Sequence, residues 1–143
     1  MQKIDSLSRF HMQLREAGQR ATPARLAILA VLEKTKKPLS VEKINQKLGD
    51  KKIDYVTVYR TVNILKEIGI VRQIDLHHGH AHYELAALGD HHHVVCMKCD
   101  RIEDVDNCSV EADMYDKALQ QSGFASIAQH SLEFFGLCQQ CST

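Results

Sequence analysis

The chain has 143 residues, 44% hydrophobic and 25% charged, with a formal net charge of zero, a composition typical of one or two small folded domains. It excludes a membrane helix, since no stretch approaches the roughly 18 apolar residues that one needs. Met1-Gln2-Lys3-Ile4-Asp5 has no apolar signal core, so a cytoplasmic location is expected. The zero net charge hides an asymmetry. Residues 1–75 carry fifteen Lys/Arg against eight Asp/Glu, a balance of +7, and residues 76–143 carry three against ten, a balance of −7. A basic half suits a polyanion such as DNA, through phosphate neutralisation. An acidic half rich in His and Cys suits cations.

The first half reads as helices. A helical pattern around Ser8–Ala17 stops at Gly18. Thr22-Pro23 is a start signal, Thr as N-cap and Pro in the first helical position, followed by Leu26, Ile28, Leu29 and Leu32 as the residues to bury. Ser40 caps a third helix over Val41–Leu48 that ends at Gly49. Asp54 caps a fourth over Tyr55–Ile68, ending at Gly69, with Val58, Val62, Leu65 and Ile68 on one face and Tyr59, Arg60 and Asn63 largely on the other. Ile70–Leu76 and Ala81–Leu85 flank a His77-His78-Gly79-His80 turn as a β-hairpin. Helices followed by such a hairpin make a winged helix-turn-helix whose fourth helix reads DNA. Tyr55, Thr57, Tyr59 and Arg60 are its candidate contacts, because Tyr and Thr meet thymine methyls and phosphates and Arg bonds guanine or phosphate. A solvated polar helix face explains that segment equally well when it is taken alone.

The second half mixes short strands at His93–Cys96 and Arg101–Val105, a helix at Val110–Gln121, and a long strand at Ser126–Phe135. The fold class expected is α+β, with a winged helix over residues 1–85 and a small α/β domain over 86–143.

Five cysteines are an odd number, and a reducing compartment disfavours disulfides. Four stand as Cys96-Met97-Lys98-Cys99 and Cys138-Gln139-Gln140-Cys141, and two such turns complete the tetrahedral thiolate shell of a structural zinc ion (Zn2+). Cys108 is left over, and a buried apolar position suits it. His77, His78, His80, His82, His91, His92, His93 and His130 are eight of the nine histidines, accompanied by Glu84, Asp90, Glu103, Asp104 and Glu111. Alternation along a strand puts His91 with His93 on one face, and His80, His82 and Glu84 together on one face. Mixed imidazole and carboxylate shells suit Fe2+, Mn2+, Zn2+, Co2+ or Ni2+. A zinc enzyme is the weaker reading of His82-Tyr83-Glu84 upstream of Cys96, since Val95 stands where zinc deaminases carry proline. A metal storage or delivery protein would account for the His-rich half but not for the basic helical one.

Taken together, Arg20-Ala21-Thr22-Pro23-Ala24-Arg25, Thr57-Val58-Tyr59-Arg60-Thr61, Tyr83-Glu84-Leu85, His91-His92-His93-Val94-Val95-Cys96 and His130-Ser131-Leu132 through Gly136-Leu137-Cys138 resemble the ferric uptake regulator (Fur) superfamily. The motifs occur in that family's order over nearly the whole chain. The resemblance implies a homodimer that binds a palindromic DNA operator when its regulatory metal is present, usually as a repressor in metal homeostasis. It further implies a structural zinc at Cys96, Cys99, Cys138 and Cys141, and a regulatory cation, Fe2+ or Zn2+ first and Mn2+ or Ni2+ next, at Glu84, His91, His93 and Asp104. Asp90, His92, Glu111 and His130 match an additional metal site. Tyr59 matches a base contact of the reading helix, and Arg20 a contact to the DNA backbone or minor groove. One departure is clear: where relatives supply a regulatory His just before the third helix, this chain has Lys36-Lys37-Pro38, so His80 or His82 becomes the candidate replacement. Asp104, where iron sensors usually carry Glu, makes a peroxide sensor of the same superfamily the alternative.

Overall fold

The computed structural model describes residues 5–50, 52–89, 91–106 and 112–143. They fall into two units, residues 1–89 and 90–143.

In the first unit the start signals act as expected. Helix α1 (Ser6–Glu16) buries Phe10 and Leu14. Helix α2 (Pro23–Thr35) begins where the Thr22 hydroxyl accepts the Arg25 N–H, and it buries Ile28, Leu29 and Leu32. Strand β1 (Leu39–Ser40) runs straight into α3 (Val41–Leu48), capped by the Ser40 hydroxyl on the Lys43 N–H. Helix α4 (Tyr55–Glu67) starts at Asp54, whose carboxylate accepts the Thr57 N–H at 2.7 Å. Strands β2 (Val71–Asp75) and β3 (Ala81–Leu85) complete an antiparallel sheet of order β1-β3-β2, in which β3 is central. One apolar cluster holds these elements together, running from Phe10 and Leu14 through Leu29, Ile44, Val58, Val62 and Leu65 to Tyr83 and Leu85. Burial of this size is the main stabilising term of such a unit.

The second unit holds β4 (His92–Cys96), β5 (Ile102–Val105), α5 (Ala112–Ser122) and β6 (Glu133–Gly136). Its sheet has the order β5-β4-β6, with β4 antiparallel to β5 and parallel to β6.

Three differences from the sequence reading have physical causes. The strand expected over Ser126–Phe135 is confined to Glu133–Gly136, because β4 offers partners only from His93 to Cys96. The first unit extends past Leu85 to Gly89, since a 3-10 turn at Ala86–Leu88 is tied back to its sheet by the Ala86 N–H to Ile70 carbonyl bond and by Arg72 to the Gly89 carbonyl. Strand β1 was not expected, because Ser40 serves both as a strand residue and as a helix cap. Asp90, Cys108, Val110 and Glu111 lie outside the described residues.

Candidate metal centres and nucleic-acid interface

The four-cysteine set is built by the parallel pair. With Cys96 in register with Gly136, both strands deliver their chains at the same end of the sheet, where each turns through a Cys-x-x-Cys knuckle. The sulfurs of Cys96, Cys99, Cys138 and Cys141 all lie within 4.8 Å of one another. Cys99 Sγ and Cys138 Sγ are 3.8 Å apart, about the edge of a tetrahedron with Zn–S bonds of ~2.3 Å. The backbone N–H of Cys138 donates to the buried Cys96 sulfur at 3.4 Å. That donor first, then the N–H groups of Cys99 and Lys98, brings the Cys96 thiol down to about 6, within reach of a metal-ready thiolate at neutral pH. Cys141 moves the other way, to about 12, because its thiol proton is held by Cys138 and it loses hydration. A ready thiolate at Cys96 beside a thiol held protonated at Cys141 suits a divalent cation site that releases protons as it fills.

His93 is the best-organised histidine. It is 1% exposed. Its Nδ1 lies 3.0 Å from Glu133 Oε2, which also accepts the His93 N–H at 2.9 Å. With Nδ1 donating to that carboxylate, Nε2 keeps its lone pair and lies 3.7 Å from Asp104. The His91 ring stands 4.8 Å from that of His93. Sequence reasoning did not find Glu133; it becomes visible only through the register that pairs it with His93.

On the other side of β4, His92 is buried, its ring 5.5 Å from His130, whose Nδ1 is bonded by the Tyr115 hydroxyl. His92 Nε2 is buried without a hydrogen-bond partner among the described residues, which suits a nitrogen meant for a cation. Their matched partners Asp90 and Glu111 are not described.

In the first unit Glu84 is 1% exposed and bonded to the guanidinium of Arg72 at 2.6 and 2.7 Å, another partner that sequence did not reveal. The two candidates for the missing ligand, His80 and His82, cluster with His78: one ring nitrogen from each of the three lies within 4.8 Å of the others. Pro38 is buried beside the three-stranded sheet, and the Lys36-Lys37-Pro38 stretch offers no metal donor.

Helix α4 presents Tyr55, Val56 and Tyr59 half-exposed, with Arg60 exposed beside them, while Val58, Thr61, Val62 and Leu65 face the core. Thr57 is fixed at the cap, where its N–H and then its hydroxyl hold the Asp54 carboxyl below its ordinary value. A groove of about 250 Å³ runs between Tyr55 and Tyr59, the start of α3, and His80, Ala81 and Tyr83 of the hairpin. Arg20 is exposed just before α2, and its carbonyl accepts from Arg25.

Residues 16–135 match the model of the ferric uptake regulator family. The ferric uptake regulation protein of Neisseria gonorrhoeae is 33% identical over 99% of this chain and 96% of its own. Among solved structures, a ferric uptake regulator from Francisella tularensis with iron superposes with a TM-score of 0.76 at 28% identity, covering 88% of this chain and 96% of that one. The Vibrio cholerae regulator gives 0.77 at 29%, covering 90% and 99%. The chain belongs to the ferric uptake regulator family. It is a metal-responsive, DNA-binding transcriptional regulator, and its cofactors are metal ions. For a Fur-family chain the four sulfurs and the imidazole–carboxylate groups around β4 are the donors that fit such cations.

Proposed function

We propose that this Fur-family chain acts in the cytoplasm as a homodimeric repressor that binds a palindromic operator when a regulatory cation, Fe2+ or Zn2+, is bound. Glu84, His91, His93 and Asp104 are its ligands in this reading, with zinc at Cys96, Cys99, Cys138 and Cys141 serving structure alone. The set Asp90, His92, Glu111 and His130 takes an additional metal. Tyr55, Thr57, Tyr59 and Arg60 contact the operator, with Arg20 on its backbone. The chain acts by binding, and no residue is assigned to catalysis.

The observation that carries the reading is His93. A buried imidazole whose Nδ1 is held by Glu133 and whose Nε2 lies beside Asp104 is built to give one nitrogen to a metal. A cation shared between Glu84 of the first unit and the β4 histidines of the second stabilises only the arrangement in which all of them can reach it. That differential affinity supplies the energy of the switch. Homodimerisation has its own support: Val94 and Phe134, cross-strand partners on one face of the second sheet, are 39% and 45% exposed. Such a face asks for a partner.

The test replaces His91 and His93 together by Ala. Operator sequences are first selected from random duplexes with the unaltered protein, and binding is then followed by gel shift with and without Fe2+ or Zn2+. The variant is expected to stay a folded dimer and to lose the metal-dependent part of binding. A variant whose binding still rises with metal would overturn the assignment.

A further inference from the structure

We propose that His78, His80 and His82 form a metal site of their own, lying wholly in the β2–β3 hairpin, that takes a borderline divalent cation such as Ni2+ or Zn2+. The site does not rest on the regulatory assignment above, because it uses none of those four ligands.

The geometry comes from the turn. His77 and Gly79 both take positive φ, 56° and 78°, so the five residues between the strands fold back on themselves. The Asp75 carboxylate secures the bend by accepting the His77 N–H at 2.8 Å. His78 is thereby carried over the strand, with its ring 5.1 Å from His82 and 6.0 Å from His80. His80 and His82 are two residues apart on one face, with rings 4.8 Å from each other. One ligand nitrogen from each of the three lies within 4.8 Å of the others. Three imidazoles on one cation need nitrogens about 3.4 Å apart, from bonds of ~2.1 Å at tetrahedral angles. Side-chain rotation of the exposed His80 and half-buried His78 covers that difference. His82, by contrast, is buried and anchored between Ser40 and Ile74 on the central strand.

The donor set decides the ligand class. Three imidazoles with no carboxylate in the cluster suit Ni2+, Zn2+, Co2+ or Cu2+ and give little to Mg2+, Ca2+ or Mn2+. Glu84, the next residue on that face, is engaged by Arg72. His80 also lines the groove shared with Tyr55 and Tyr59, so a cation here adds positive charge directly beside the DNA-reading helix.

The experiment uses the full-length protein with zinc in the four-cysteine set and counts bound Ni2+ by equilibrium dialysis. The double variant His78→Gln/His80→Gln should bind one equivalent less per chain than its parent. The same deficit should appear when both proteins also carry His91→Gln/His93→Gln. An unchanged Ni2+ count would overturn the proposal. So would a deficit that vanishes in the His91→Gln/His93→Gln background, which would mean a single shared site. Far-ultraviolet circular dichroism without Ni2+ should match the parent. As a gentler check, His80→Gln alone, at the most exposed of the three, should weaken that equivalent at least tenfold; an unaltered affinity there counts against the site.

Discussion

Arg72 and Glu84 set a side chain of 31% exposure against a carboxylate of 1%, at 2.6 Å. A charge-assisted bond of this kind contributes about 2 kcal/mol, so Arg72→Gln should lower the stability of the metal-free protein by roughly that amount in urea unfolding. If Glu84 is a ligand, Fe2+ or Zn2+ should restore part of the loss, because binding to the folded state stabilises it by mass action. A variant whose stability ignores metal would separate Glu84 from the cation. The cysteines make a pH prediction. The Cys96 thiol is down at about 6, whereas Cys141 is up at about 12. At pH 7 Cys96 has already lost its proton and Cys141 has not. Zinc loading should therefore release fewer than four protons per chain, and the number should rise as pH falls toward 6. Calorimetry in buffers of different ionisation enthalpy measures this. The cysteine set was legible because Cys-x-x-Cys spacing is local. Glu133 and Arg72 were not, because each reaches its partner through a strand register that spacing does not encode.

At the scale of elements, caps were the most readable signal. Helix α3 spans Val41–Leu48, as Ser40 and Gly49 imply, since a hydroxyl on the third N–H and a glycine in the positive-φ region (φ 57°) are local chemistry. Replacing Ser40 by Ala should cost about 1 kcal/mol, read as a lower urea midpoint with an unchanged slope. An effect near zero would mean that the β1 pairing, not the cap, fixes the start of α3. Strand β6 shows the opposite case. Ser126–Leu132 has strand-forming residues, but a strand needs a neighbour, and the parallel partner begins only at His93. The domain junction was blurred for a similar reason: the hydrogen bonds that bind Ala86 and Gly89 to the first sheet come from residues distant in sequence, Ile70 and Arg72.

For the whole molecule, the two units are stabilised differently. Every residue of the large apolar cluster belongs to the first unit. In the second, Val95 and Cys96 are the buried apolar residues among those described, while Phe124, Phe134, Leu132 and Leu137 are exposed. A segment of that size with so little core needs a metal or a partner chain. Phe134→Glu places a charge opposite Val94 on the face assigned to dimerisation. Sedimentation should then show a folded monomer whose operator affinity is at least a hundredfold weaker. A Phe134→Glu protein that remained dimeric would move the interface elsewhere. The parallel pairing of β4 with β6 has a consequence for how the chain folds. That contact closes a loop of some forty residues (93 to 133), which is entropically costly, and among the described residues its alignment is marked by the bonds from the Glu133 carboxylate to the buried His93. A slip by a single residue would shift one cysteine knuckle by about 3.3 Å against the other, too far for four sulfurs to share one ion. Zinc bound at the four cysteines, as proposed above, would therefore do more than hold the finished sheet: it would retain the correctly aligned chains and let the misaligned ones come apart and try again.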